Sequence, residues 1–153
     1  MSESTPSSPS ANATAPDAAP PGARTLRSAA TPRSILVAAV LDVALVLVFV
    51  LIGRNSHDEG FSLLGTLNTW WPFLAGLAVG WVATRAWRYP FAVVLPGIPI
   101  WLFTVAVGML FRTLSGQGVA VGFVIVALIV LGVFLLGWRL LAGVVVRRRR
   151  AHA

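Results

Sequence analysis

Asp42 stands alone as an acid within an apolar run, ILVAAVLDVALVLVFVLI, that extends from Ile35 to Ile52. An ionised carboxylate deep in hydrocarbon costs at least ~2.5–3.5 kcal/mol even on lenient insertion scales. Asp42 must therefore pair with a cation, take up a proton or face water. Two chemistries follow: an ion pair that joins helices, and a relay that moves protons or ions. Depth sorts the candidate cations. With the inner boundary near Ile35, Asp42 lies seven residues in, about 10 Å along a helix. Arg139, inside the last apolar run, lies seven residues from Val146, at the same level. Arg54 is about 18 Å further along Asp42's own helix, and Arg112 sits at the opposite edge. Arg85, at the inner boundary, could snorkel toward the carboxylate and is the second choice.

His57, Asp58 and Glu59 form the other polar group, and in principle they could bind a metal or shuttle protons. Adjacent residues rarely converge on one ion, and the second histidine, His152, falls on the far side of the spans, so a solvated loop is the expectation. The chain has no cysteine, which excludes disulfides and thiolate-ligated metals. No Ser/His/Asp spacing, phosphate-binding glycine loop or HExxH motif is present. The residues point to no enzyme, no metal and no cofactor.

The elements that must position Asp42 are long apolar runs. Eighteen residues rise about 27 Å as a helix, close to the ~30 Å core of a bilayer. Three further runs of similar character follow, and hydrophobic residues make up 57% of the chain, which takes it out of the soluble class. The expected fold is an all-α integral membrane protein with four transmembrane helices, preceded by a disordered tail. Residues 1–33 form that Ser/Pro/Ala-rich cytoplasmic tail, with too little apolar surface to offset its ordering entropy and no convincing signal peptide. Residues 34–146 hold the spans, at about 35–52, 67–84, 91–111 and 119–141. Residues 147–153 are a basic cytoplasmic tail.

Within the second run, Trp70 and Trp71 favour the interface. The span is therefore started near Leu67, which puts Pro72 in its first turns, where a missing donor costs little. Gly76 and Gly80 form a GxxxG step for close helix approach. The segment Pro96 to Pro99, PGIP, kinks or unwinds the third run. Such a break is either a plain proline kink or a transporter-like binding site.

All twelve cationic side chains are arginine, and the net charge is +7. With a cytoplasmic amino terminus the inner side carries Arg24, Arg27, Arg33, Arg85, Arg88, Arg139 and Arg147 to Arg150, and the outer side only Arg54 and Arg112. That asymmetry satisfies the positive-inside rule and places both termini in the cytoplasm of a multi-pass cell-membrane protein. The partner for this charge is the anionic cytoplasmic leaflet, not nucleic acid, because the arginines flank apolar runs.

Asp42, Gly53-Arg54 with His57, Trp71-Pro72-Phe73, Gly108-Met109 with Arg112 and Gly116, and Trp138-Arg139 together resemble an actinobacterial group of small integral membrane proteins, the domain of unknown function numbered 3054. The likeness covers roughly Ile35 to Leu141. It implies a four-span bacterial inner-membrane protein and supplies no activity. Two functions remain open: a small transport or permeation protein acting as a homo-oligomer around a path past Asp42, and a non-enzymatic structural or assembly subunit packed against a larger membrane partner. The second reading expects Gly76/Gly80 and Gly118/Gly122 to face outward.

Overall fold

The computed structural model describes residues 30–55 and 62–151, and all the regular structure in them is helical. Helix α1, Pro32–Asn55, begins before the apolar run does. Thr31 caps it, accepting from the Ser34 amide at 3.2 Å. Pro32 then occupies the first helical position, where its missing N–H is no loss.

Helix α2, Leu63–Thr84, also starts earlier than hydropathy suggests, because Ser62 caps it by accepting from the Gly65 amide. Leu63 to Thr66 therefore belong to the helix. Pro72 consequently sits in the interior and not in the first turns. The carbonyl it leaves without a helical donor, that of Asn68 four residues back, accepts instead from Gln117 Nε2 at 3.0 Å. The helix ends at Arg85, whose left-handed backbone (φ 50°) lets its amide bond back to Trp81 and Val82.

A short turn at Ala86–Arg88 leads to an irregular turn, Val93–Gly97, in which Leu95 is extended and the Leu95–Pro96 peptide is cis. Helix α3, Ile98–Leu114, follows. The break expected at the PGIP segment is thus an unwound entry to the helix. Helix α4, Val121–Ala151, continues through the arginine cluster, where composition suggests a separate tail.

The contacts run in opposite directions between neighbours. Phe73, Gly76 and Gly80 of α2 meet Gly108, Thr104 and Ile100 of α3 in turn. Asp42 and Phe49 of α1 meet Arg139 and Phe123 of α4. Trp101 of α3 donates to the Leu128 carbonyl of α4 at 3.0 Å. The result is an up-down-up-down bundle with Val46, Phe73, Ile100, Leu131 and Leu135 at its centre.

The bundle is apolar outside and charged within. Leu36 is 64% exposed and Ile129 61%, while Asp42 and Arg139 are both 0% exposed. Apolar surface on this scale marks a face that lipid or another protein covers. Three segments are long and apolar enough to cross a membrane: Pro32–Asn55, Val93–Leu114 and Val121–Val146. Helix α2, with Pro72 and three tryptophans, is not among them.

Candidate functional site

The site grows from three helices and one interruption. Asp42 is on the face of α1 that also carries Ala38, Val46 and Phe49, all buried, so its carboxylate points into the bundle. Arg139, one turn beyond Leu135 on α4, points back at it. The pair is bidentate: Arg139 Nη1 donates to Asp42 Oδ1 at 2.8 Å and Nη2 to Oδ2 at 2.7 Å. Two indoles complete the carboxylate's shell. Trp138 Nε1 donates to Oδ1 at 2.8 Å, and Trp81 Nε1, from α2, donates to Oδ2 at 2.8 Å. Each oxygen thus accepts two hydrogen bonds, which fills the acceptor capacity of an ionised carboxylate.

The guanidinium is held as firmly. Nη1 also donates to the Leu135 carbonyl at 2.8 Å, and Nε donates to the Pro90 carbonyl at 3.2 Å. Pro90 can receive Arg139 because the chain after it is not yet helical: Ala92 is extended and the helix forms only beyond Gly97. The same interruption makes room for the arginine stem. A Cβ on Gly97 would lie 3.2 Å from Arg139 Cδ and 3.0 Å from the Ala92 carbonyl oxygen. The Arg139 guanidinium carbon also lies 4.6 Å from the Trp138 ring centre, and Phe91 meets that ring edge to face.

Depth along the helices pairs Asp42 with Arg139, and the structure joins them. Arg85, the second choice, is an exposed residue of the α2–α3 turn. Arg54 and Arg112 belong to the other end of the bundle, where both line a cavity of about 830 Å³. There Arg112 Nη1 donates to Gln117 Oε1 at 2.9 Å, and its guanidinium lies 4.7 Å from the Phe123 ring centre. His57, Asp58 and Glu59 lie outside the described residues. Trp81, Trp138, the Pro90 carbonyl and Gly97 enter the site beyond what charge and depth predict. The adjacency of Trp138 to Arg139 and the PGIP break around Gly97 are the visible signals among them.

The small-residue faces divide: Gly118 and Gly122 are exposed as expected, and the other pair is not. Gly76 and Gly80 turn inward, and a Cβ on Gly76 would come within 2.8 Å of the Phe103 and Thr104 carbonyl oxygens. Their close approach is to α3, because a small-residue step fixes the separation of two helices without specifying which two. Gly118 and Gly122 line the cavity.

Residues 39–142 match the model of a family described as "Protein of unknown function (DUF3054)". The match takes in Asp42, Trp81, Trp138 and Arg139. No curated protein and no solved structure matches the chain.

Proposed function

The chain belongs to that family of proteins of unknown function, and from this premise we propose that it is a non-enzymatic structural or assembly subunit of a bacterial inner membrane, packed against a larger membrane partner. Gly76 and Gly80 face α3 and not a partner, so the observation that carries this reading is the closure of Asp42. All four of its hydrogen bonds come from protein donors, and it is 0% exposed. A permeation path past Asp42 needs a carboxylate that meets water or an ion, and every approach is taken by Arg139, Trp81 or Trp138. The centre ties α1, α2, α4 and the entry to α3 together, which is the work of a lock.

In this reading α2 is the fourth span. Its 22 residues reach about 33 Å, and it pairs in register with α3, which together with the preceding Val93–Gly97 turn is long and apolar enough to cross. Four crossings put both termini on the side that carries all the arginines except Arg54 and Arg112, the cytoplasm under the positive-inside rule. A maleimide that cannot cross membranes, added to intact cells, should label Ser115→Cys and not Ala153→Cys. Labelling of Ala153→Cys would remove the topology.

The assembly reading is tested on the complex extracted from native membranes. Native mass spectrometry should find the 16.2 kDa chain in a species whose mass is not a whole multiple of its own. Masses confined to such multiples, together with proton or cation flux in proteoliposomes that Asp42→Asn abolishes, would return the homo-oligomeric transport reading.

A further inference from the structure

The cavity at the Arg54 and Arg112 end opens between α1 and α4. Ile52 and Gly53 of α1 and Gly122 and Val126 of α4 form its walls. The Phe49 and Phe123 rings, with centroids 6.2 Å apart, close it on the core side, and it extends along α4 from Gly122 to Val130, about 12 Å of helix. At about 830 Å³ it falls within the ~300–1,000 Å³ of chambers that enclose small ligands. Ile52, Gly122 and Val126 are exposed on the outer surface of the bundle, so the chamber opens sideways, where the bilayer lies. Polar lining is confined to one end, at Arg54, Arg112, Thr69 and Gln117. Arg54 and Arg112 are the two arginines that the positive-inside asymmetry does not explain. Both reach the same mouth. Arg112 is held there by Gln117 and by the Phe123 ring, and Arg54 lies against Gly65, where a Cβ would come within 2.6 Å of Nη2.

We propose that this chamber binds one anionic phospholipid of the surrounding bilayer, with an acyl chain along Ile52, Phe123 and Val126 and its phosphate at Arg54 and Arg112. An apolar trough that ends on cations matches a ligand whose hydrocarbon ends on an anion. A zwitterionic lipid fills the trough equally well but adds an ammonium beside two guanidinium groups, so the selectivity is for net negative charge. The inference is independent of the assembly reading, because it concerns the open end of the bundle and not the Asp42 centre.

The test uses the full chain in nanodiscs of equal parts phosphatidylglycerol and phosphatidylcholine, released for native mass spectrometry. One phosphatidylglycerol should remain on each chain in preference to phosphatidylcholine. Arg54→Gln and Arg112→Gln should each weaken retention about fivefold, the equivalent of the ~1 kcal/mol that a cation contributes near an anionic surface. Gly122→Phe, placed where a Cβ meets nothing within 4 Å, should fill the chamber and release the lipid. If that variant does not fold, Val126→Phe fills the same space from one turn further along. Gln at all four of Arg147 to Arg150 should leave the retained lipid in place. Equal retention of both lipids, or loss on changing the α4 terminus with none on filling the chamber, would overturn the proposal.

Discussion

The α1–α4 seam is built in two opposite ways along its length. Near Asp42 it is shut: an aspartate, an arginine, two indoles and two backbone carbonyls satisfy one another, and the ion pair has no exposure. Toward Arg54 and Arg112 it parts around about 830 Å³ of largely apolar space. Both ends hold arginine, so charge alone does not decide which end closes. What differs is the geometry of what each arginine meets. Arg139 meets a carboxylate of matching fork shape on the facing helix, while the contacts of Arg112 include the amide of Gln117, close by in its own chain, and the Phe123 ring. A bundle in lipid gains little from apolar contact between helices, since the tails are as apolar as leucine. The seam is therefore drawn together where polar groups bridge α1 to α4, stays in contact as far as the Phe49 and Phe123 rings, and parts beyond them.

The contrast predicts a gradient of mutational cost. At the closed end, Asp42→Asn and Arg139→Gln should each lower unfolding stability by about 3–5 kcal/mol, because each strands a buried charge. The double variant should lose far less than the sum. Thermal or denaturant unfolding of the solubilised protein measures this, and simple additivity would mean that the pair does not operate as a unit. Trp81→Phe and Trp138→Phe remove one charge-assisted bond each and keep most of the ring, for a cost of about 1.5–3 kcal/mol. Equal, negligible losses for both would reduce the indoles to packing.

Between α2 and α3, Gly76→Ala should cost about 1–3 kcal/mol, since the new methyl meets backbone oxygens that cannot turn aside. At the open end the sign reverses. Gly122→Ala meets nothing within 4 Å and should stabilise the helix by roughly 0.4–1 kcal/mol by restricting the unfolded chain. A loss at Gly122 as large as that at Gly76 would mean that the open end is packed as tightly as the α2–α3 contact.

The pairing of Asp42 with Arg139 is legible in the sequence, because a helix converts residue number into depth at a fixed rate and few charges compete at each level. The indoles are not legible there. Tryptophan in a membrane chain suggests the interface, and only the rotation of α2 about its axis, which the sequence does not encode locally, turns Trp81 inward. Helix starts escape for a different reason. Thr31 and Ser62 set them through single hydrogen bonds, while apolar length, the dominant signal, begins several residues later. Pro72 suggests a helix end because it lacks a donor. Gln117, 49 residues from Asn68, meets the carbonyl that this leaves, a compensation that no local rule announces. The unwound third helix is visible in its two prolines, but its purpose, a carbonyl offered to Arg139, depends on what comes alongside.

The 97-residue separation of Asp42 from Arg139 has a consequence for how the protein is made. The first helix leaves the ribosome with its carboxylate and without its counter-ion. At ~5–20 residues per second, roughly 5–20 s pass before Arg139 is synthesised. For that interval the nascent chain keeps a charge that hydrocarbon disfavours, so α1 stays at the insertion machinery or sits shallow until α4 arrives. On this account commitment of α1 to a bilayer should be deferred to the end of translation, and a chain terminated before Arg139 should fail to acquire it. Such a truncated product should turn over faster in a pulse-chase experiment than the same truncation carrying Asp42→Leu.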